Sequence, residues 1–260
     1  MKVKKTLAAG LVLMMTAAGL YAQQAGQWTF GARAGMAFSF NETENFLDHF
    51  EERNGFKNTS SIAKDRMKMN FNAAFYVNRA VANWISFQAE LNTMFNQGYS
   101  AEMYDPSYQA QYSWQASVHS DERIMTYTSL DIPLLVRFNF LTKKTFGFGL
   151  MAGPHISIPL GRMEVWTEIA QSNQTTNRDR YEGDTYNIDT FATFGFTAGL
   201  YGGYRIGPGR FISDLRYIYD FNSLTMTFRG IYHIGGFDTR SYDVMRRRAL
   251  LLTLGYELSL

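Results

Sequence analysis

The clearest pattern of hydrophobic and polar positions lies at the end of the chain, in the run LLLTLGYELSL from Leu250 to Leu260. Every second residue from Leu250 onwards is Leu or Tyr, and the residues between them are mostly small or polar. A period of two predicts a β-strand with one continuous apolar face, and this face has to be buried in something. Roughly ten residues with this alternation are typical of a transmembrane β-barrel strand whose apolar face contacts lipid.

Residues 28–40 repeat the pattern near the start of the chain. Aromatic residues stand at both ends of the apolar face, from Trp28 to Phe40, and small residues fill its middle. Membrane strands carry such rings at the two membrane interfaces and an apolar band between them. This segment is therefore predicted to be the first strand of the same barrel.

The alternation recurs often enough to predict eight strands. They cover residues 28–40, 67–78, 84–97, 123–140, 146–160, 189–205, 211–219 and 248–260. Three short connections alternate with four long polar ones, so the long loops are expected at one end of the barrel and both termini at the other. The predicted fold is all-β, an eight-stranded antiparallel up-and-down transmembrane β-barrel with extracellular loops and periplasmic termini in the bacterial outer membrane. A soluble barrel with its apolar faces inward is the alternative.

Four polar stretches separate the predicted strands, at residues 41–66, 98–122, 161–188 and 222–245. In the first stretch, Asn41 and Glu44 have the spacing of a helix N-terminal cap, and Gly55 would end the helix that they begin. After the first 22 residues, no apolar run approaches the roughly 20 residues of a spanning helix. Membrane spanning therefore depends on strands.

Residues 1–22 have the pattern of a cleaved signal peptide. Lys2, Lys4 and Lys5 precede an apolar stretch, which ends in Leu20-Tyr21-Ala22. Such an arrangement is recognised by signal peptidase, and the apolar stretch is short for a membrane anchor, the alternative interpretation. Residues 23–260 are then the barrel. This part of the chain contains 22 basic and 23 acidic residues, so its net charge gives no reason to expect nucleic-acid binding.

The face opposite the apolar one carries charge in most of the predicted strands. The residues expected to form a charge network in the lumen are Arg33, Lys68, Glu90, Asp131, Arg137, Asp214, Arg216 and Glu257. Eight strands leave an interior only wide enough for side chains, so buried charges there must pair. The network is interpreted as a plug of salt bridges, and a narrow ion path is the alternative. A wide pore does not fit this strand number.

Strand register suggests particular pairs within this network. Glu257 is expected to contact Arg33 or Arg216 on the neighbouring strands, unless it reaches periplasmic water. Glu90 and Asp131 have Lys68 and Arg137 as candidate partners. The alternation also places Asn96 inward.

Prolines inside a closed barrel predict local disturbance. Pro133, Pro154 and Pro159 fall within predicted strands, yet proline cannot donate a ladder hydrogen bond. Bulges or missing ladder bonds are therefore expected there, with Pro159 near the rim.

Three segments in the middle of the chain carry a resemblance: ISFQAELNTMFNQGYS, YTSLDIPLLVRFNF and FGFGLMAGPHISIPLG. They resemble the outer-membrane β-barrel domain that is widespread in Bacteroidetes-type bacteria and often labelled porin-family or PorT-like. The residues at the matching places are Gln88, Glu90, Leu91, Gly98, Leu130, Asp131, Ile132, Pro133, Leu134, Ala152, Gly153 and Pro154. The resemblance covers essentially the whole mature chain. It implies an outer-membrane barrel but no single activity, because the family includes secretion-linked members beside others.

Few residues suggest chemistry. The chain has no Cys, which excludes disulfides, thiolate catalysis and Cys-ligated metals. His155 and Ser157 have the spacing of a His–Ser pair in an outer-membrane lipase, but their phase points them into the lumen, where no acyl chain arrives. His49, His119 and His233 lie singly in the polar stretches and suggest no metal site. The sequence therefore predicts no enzyme, no cofactor and no metal.

A basic triplet, Arg246, Arg247 and Arg248, stands at the loop side of the last strand. A solvated rim is the simplest interpretation. The second hypothesis is that these residues bind lipopolysaccharide phosphates, because an arginine fork matches phosphate oxygens.

The predicted function is that of an integral membrane anchor that interacts with surface partners through four loops. Expected partners are outer-membrane lipid and lipopolysaccharide, the barrel-assembly machinery during insertion, and a protein that the sequence does not identify. A small porin or channel is one alternative. A PorT-like accessory component of a secretion or envelope assembly is another, and the loops that would decide between them carry function without constraining the fold.

Overall fold

The computed structural model describes residues 25–40, 64–104, 120–142, 145–170, 178–181, 185–231 and 237–259. Within these ranges the strands are β1 (Trp28–Ser39), β2 (Lys64–Arg66), β3 (Lys68–Ala82), β4 (Ile85–Tyr104), β5 (Ser120–Thr142), β6 (Phe146–Ala170), β7 (Arg178–Tyr181), β8 (Thr185–Asn187), β9 (Thr193–Ile206), β10 (Gly209–Asp220), β11 (Leu224–Ile231), β12 (Phe237–Met245) and β13 (Arg248–Ser259). No helix in the same ranges is long and apolar enough to cross a membrane. The expected signal peptide and the expected helix at residues 41–55 lie outside the described residues.

Eight of these strands close into a barrel. Their order around the ring is β1, β3, β4, β5, β6, β9, β10 and β13, with every neighbouring pair antiparallel. The ring is closed by β1 and β13, which pair from Thr29↔Ser259 to Ser39↔Ala249. The predicted eight-stranded antiparallel barrel is therefore confirmed.

The two ends of the barrel differ in their connections. Tight turns join β3 to β4 at Asn83-Trp84 and β9 to β10 at Gly207-Pro208, and the connection from β5 to β6 is also short. We call this the turn end; β1 begins there and β13 ends there. At the opposite end, the loop end, β1 finishes at Ser39 and β13 begins at Arg248.

Side chains alternate between the two faces of every barrel strand. The outer face is apolar and exposed: Phe75 on β3 is 72% exposed and Leu254 on β13 is 54% exposed. The inner face is buried and carries most of the polar side chains, such as Gln88 and Asn92 on β4, together with apolar ones such as Met94 and Leu251. A soluble barrel would have the reverse arrangement, so these faces identify a barrel that contacts lipid.

Several strands extend beyond their predicted ends. β4, β5 and β6 contain 20, 23 and 25 residues, about twice the 9–11 residues that cross a membrane. At the loop end they continue to pair with one another, and β2, β7 and β8 add to them. Parts of residues 98–122 and 161–188 are therefore strand rather than loop, and residues 222–245 contain the β11–β12 hairpin. Backbone pairing continues where the apolar alternation stops.

An irregularity in β4 changes which side chains enter the barrel. The pairing with β5 shifts between Met94 and Gln97, and Asn96 has a left-handed backbone with φ 54°, a conformation in which Asn is enriched. The alternation predicts an inward Asn96, but the structure exposes it and buries Gln97. A β-bulge redirects the side chains that follow it, and this one brings an amide into the lumen.

The prolines interrupt the ladders as predicted. The β5–β6 ladder has no pair at Leu134 and Leu135, across from Pro154, and the β4–β5 ladder has none at Pro133. On its other side, β6 pairs with β9 continuously through Pro154. The β5–β6 register shifts beyond Pro159, toward the loop end. Proline's missing N–H accounts for gaps on one side of a strand only.

We expect the close strand approach beside the bulge to require glycine at position 98. A Cβ on Gly98 would overlap the carbonyl oxygen of Met125 on β5, so Gly98→Ala should destabilise the refolded barrel by about 1–3 kcal/mol. Urea unfolding in detergent measures the loss. Gly202→Ala is the control, because the nearest heavy atom to its added Cβ is 3.9 Å away. Equal unfolding midpoints for the two variants would contradict the close approach.

Candidate functional site

The lumen is filled by side chains that cross it, and inward glycines make room for three of their rings. Gly31 stands directly opposite Tyr76, Gly149 opposite Tyr201, and Gly195 opposite His155. A Cβ on any of these glycines would overlap the facing ring. Each ring can therefore lie flat against the neighbouring strand, which brings its polar atoms to the barrel interior.

Four charged side chains form a closed ring at mid-height, the central layer. Arg33 and Arg216 each contact both Glu90 and Asp214. The distances are 3.0 Å from Arg33 Nη1 to Asp214 Oδ2, 2.9 Å from Arg216 Nη1 to Glu90 Oε2, and 2.8 Å from Arg216 Nε to Asp214 Oδ1. All four are buried. Two cations and two anions alternate, so the layer is neutral and each charge has two partners.

A second group, the turn-end layer, surrounds Glu257. Its carboxylate lies 3.3 Å from Arg137 Nη1 and 3.7 Å from Arg210 Nη1, and it accepts a hydrogen bond of 3.2 Å from the Tyr76 hydroxyl. The Arg137 guanidinium stacks on Tyr201, 4.0 Å from the ring centroid. A desolvated cation over an aromatic face adds to the ion pair.

Glutamine connects these two layers. Arg137 donates to Gln88 Oε1 at 2.9 Å, and the Gln88 amide donates to Glu90 of the central layer. The amide thus accepts from a cation on one side and donates to an anion on the other. Such a chain of polarised hydrogen bonds is favourable only when every member is satisfied.

The third group, the loop-end layer, is centred on Arg247. Its Nη1 lies 2.9 Å from Asp131 Oδ2 and donates to Gln97 Oε1 at 3.0 Å, and its Nη2 lies 3.0 Å from Asp220 Oδ1. His155 Nε2 lies 2.8 Å from the same Asp220 oxygen. One arginine therefore joins side chains from four strands and the segment before β13.

Hydroxyl groups complete the loop-end layer. Thr193 donates to Asp220 Oδ2 at 2.7 Å, and Ser129 donates to Asp131 Oδ1 at 2.8 Å. Thr197 Oγ1 lies 3.1 Å from His155 Nδ1. Nε2 of the ring therefore contacts Asp220, and Nδ1 contacts Thr197. Both ring nitrogens are thus engaged, and the ring is buried.

Most residues of the predicted network are buried in the lumen, but their partners differ from those expected. Glu257 is buried, as one of the two interpretations has it, yet its partners are Arg137 and Arg210 rather than Arg33 or Arg216. Arg210 stands directly opposite Glu257 on the neighbouring strand β10, whereas Arg137 on β5 reaches it across the lumen.

The expected partners of Glu90 and Asp131 are also corrected. Glu90 pairs with the two arginines of the central layer, and Asp131 pairs with Arg247. Lys68 is only half-buried and donates to the carbonyl oxygen of Met125 at 3.2 Å. It stands at the start of β3, at the mouth of the barrel.

The arginine triplet does not act as one unit. Arg247 is 2% exposed and belongs to the lumen, so it is removed from the predicted lipopolysaccharide contact. Arg246 and Arg248 lie on the outer face, half-buried. Steps of two residues back from the inward Leu251 lead through Ala249 to Arg247. Steps of two forward from the inward Asp214 lead through Arg216 and Ile218 to Asp220. The same period therefore contained the signal for both missed residues.

His155 and Ser157 both face the lumen, as their phase predicts. The partners of His155 are Asp220 and Thr197, and Arg247 Nη2 lies 3.2 Å from its Nε2. A general base needs access to a substrate proton, and this buried ring faces a cation instead. In the described part of the chain, no group of three or more His, Cys, Asp or Glu could hold a metal ion.

Removing the charge of Glu257 tests the turn-end layer. Glu257→Gln leaves Arg137 buried without its carboxylate, so we expect a loss of about 3–5 kcal/mol in the free energy of unfolding. Urea unfolding in detergent and heat-modifiable gel mobility measure it. Glu164→Gln is the control, because Glu164 is exposed on β6 and should change stability by less than about 0.5 kcal/mol. A midpoint for Glu257→Gln equal to that of the control would count against the buried pair.

Several solved structures of outer membrane proteins are similar to this chain. The outer membrane protein OprG from Pseudomonas aeruginosa is similar, with 10% identity over 91% of this chain and 98% of that chain and a TM-score of 0.47. A major outer membrane protein from Thermus thermophilus has 11% identity over 91% and 100% and a TM-score of 0.45. The outer membrane protease OmpT from Escherichia coli has 11% identity over 90% and 97% and a TM-score of 0.40. No curated protein matches the chain.

The family model of the outer membrane protein beta-barrel domain matches residues 21–226. This range includes seven of the eight barrel strands, from β1 to β10. The chain therefore belongs to the family of the outer membrane protein beta-barrel domain.

Proposed function

We propose that this outer-membrane barrel is a membrane anchor with a sealed lumen that carries a surface-interaction platform at its loop end. The observation that supports the sealed lumen is the set of three charge layers. The three layers lie at different heights of the barrel. Arg247 gives the height of the loop-end layer and Glu257 that of the turn-end layer. The central layer lies between them, since its Asp214 pairs in register with Thr253. Each layer joins side chains from several strands across the interior.

What supports the platform is that β4, β5 and β6 are longer than the membrane is thick. About ten residues of each of β4, β5 and β6 suffice to cross the bilayer, and the remainder of each pairs on at the loop end. An extended paired sheet holds its side chains in fixed positions better than a flexible loop does. In the proposed orientation the loop end is extracellular and both termini are periplasmic, which follows from the short-turn and long-loop asymmetry of such barrels.

The proposal includes no enzymatic role. The His155 ring has both nitrogens in hydrogen bonds to buried groups, and Ser157 beside it is buried as well. A hydrolase needs a nucleophile, a base and an oxyanion site around a place where substrate can bind. The filled lumen leaves no such place beside these residues.

A small channel is the second candidate function. The inner face carries charged groups at three heights, with an apolar cluster of Ala37, Met94, Ile218, Ala249 and Leu251 among them. Ion pairs between arginines and carboxylates can exchange partners without leaving a charge unpaired. Arg33 and Arg216 already share both of their carboxylates. A transient rearrangement of this kind would open a narrow ion path.

Planar-bilayer recording of the refolded full chain separates the two candidates. We expect no steady openings from the wild type, because three layers of paired charges fill the lumen. Arg247→Gln removes the centre of the loop-end layer only, and we expect it to stay silent as well because two layers remain. Steady unitary openings of the wild-type protein would overturn the sealed anchor in favour of the channel.

A PorT-like accessory role in a secretion or envelope assembly is a narrower form of the platform. The long β4–β6 extension is the feature that favours a protein partner. Co-purification after mild crosslinking in native membranes tests it, with a variant whose β4–β5 hairpin is shortened to end at the pair Gly98↔Thr126 as the matched control. Recovery of the same proteins with both forms would exclude this extension as their binding site.

A further inference from the structure

Two arginines lie on the outer side where the chain enters β13: Arg248 begins this strand, and Arg246 stands two residues before it. Arg246 and Arg248 are half-buried, and they stand on the same side as Leu250 and Leu252, whereas Arg247 between them points into the lumen. Both guanidinium groups therefore lie on the surface that contacts lipid. The apolar band begins immediately below them.

The depth of these arginines follows from their neighbours. Arg248 pairs in register with Tyr219 on β10, and its carbonyl oxygen accepts a hydrogen bond of 2.7 Å from the N–H of Phe40. Phe40 and Phe221 are exposed rings at this level, and aromatic rings mark the boundary between hydrocarbon and headgroups. Arg248 is therefore at that boundary. Arg246 lies about 7 Å farther along the strand, at headgroup level.

An aromatic contact orients the guanidinium of Arg248. The Arg248 guanidinium lies over the Tyr219 ring, 5.4 Å from its centroid, and Tyr219 packs edge-on against Phe221 with centroids 5.8 Å apart. Stacking fixes the plane of the arginine fork, whose donors match phosphate oxygens. The Nε of Arg246 is buried and has no hydrogen-bond partner among the described residues.

We propose that Arg246 and Arg248 bind the phosphate of an anionic lipid headgroup, with the acyl chains of that lipid lying along Leu250 and Leu252. In the proposed orientation the lipid is a phosphorylated glycolipid of the lipopolysaccharide type. The apolar surface below the arginines selects a lipid over free phosphate, because only a lipid gains hydrophobic contact there as well. This inference is independent of whether the lumen conducts ions.

Arg79 provides a matched comparison at the opposite end. It is exposed on the outer face of β3, and its guanidinium lies over the Trp28 ring, 5.1 Å from the centroid. It therefore shares the cation–π contact and the rim position with Arg248. No second arginine stands two residues away on the same face of β3, since Val77 and Val81 occupy those positions.

Lipid binding by the refolded full chain in neutral detergent tests the site. The probes are diphosphorylated lipid A, the same lipid without its phosphates, and inorganic phosphate, with bound lipid counted by native mass spectrometry. We expect wild type to prefer the phosphorylated lipid and to ignore inorganic phosphate. Arg246→Gln with Arg248→Gln should weaken binding of the phosphorylated lipid about thirtyfold, since each basic residue near an anionic surface contributes about fivefold.

Arg79→Gln should bind as wild type does, and Arg246→Lys with Arg248→Lys should recover most of the binding through charge alone. Equal binding of the lipid with and without phosphates by wild type would overturn the proposal, and this comparison needs no variant. The proposal also fails if the double glutamine variant keeps wild-type affinity, or if Arg79→Gln loses as much. Binding of inorganic phosphate as tightly as lipid A would replace the lipid with a free anion.

Discussion

The width of an eight-stranded barrel governs this structure. Its interior admits side chains and little else, so a charge placed there loses water and needs protein partners in return. The central layer meets this requirement by giving each of its charges two opposite neighbours. Arginine suits the task because one planar group reaches two carboxylates at once. The central and turn-end layers are connected through Gln88, whereas apolar side chains such as Ala249 and Leu251 stand between the central layer and the loop-end layer.

Room for this network comes from the backbone. Inward glycines at positions 31, 149 and 195 face rings across the ladder, and these rings contact or carry the charges of the layers. The bulge at Asn96 turns Gln97 inward, where it accepts from Arg247. Both devices interrupt what alternation alone would give, and both lie beside charged groups. Bulges and glycines in strands commonly mark places where a side chain is redirected.

The alternation of apolar residues predicted the eight barrel strands and the direction of their faces, because lipid contact imposes a period of two. It did not predict β2, β7, β8, β11 and β12, which lie outside the ring. It could not predict how far β5 and β6 run, since pairing beyond the lipid needs no apolar residue. Nor did it predict the partners of Glu257. Arg210 is the register neighbour of Glu257 on β10, but the predicted strand began one residue later, at residue 211. Register gives the height of a side chain, whereas pairing across a lumen depends on reach, and Arg137 arrives from the opposite wall. Arg247 was misplaced because the three arginines were treated as one rim.

That triplet shows how one strand serves two environments. Consecutive side chains of a strand point to opposite faces, so the three arginines do not share one surface. Arg247 therefore satisfies Asp131 and Asp220 inside the barrel, while Arg248 stacks on Tyr219 outside. The inner arginine fixes where the segment before β13 enters the ring, and the same register sets the depth of the outer pair. The lumen network thus positions the lipid-facing cations, although it does not contact them.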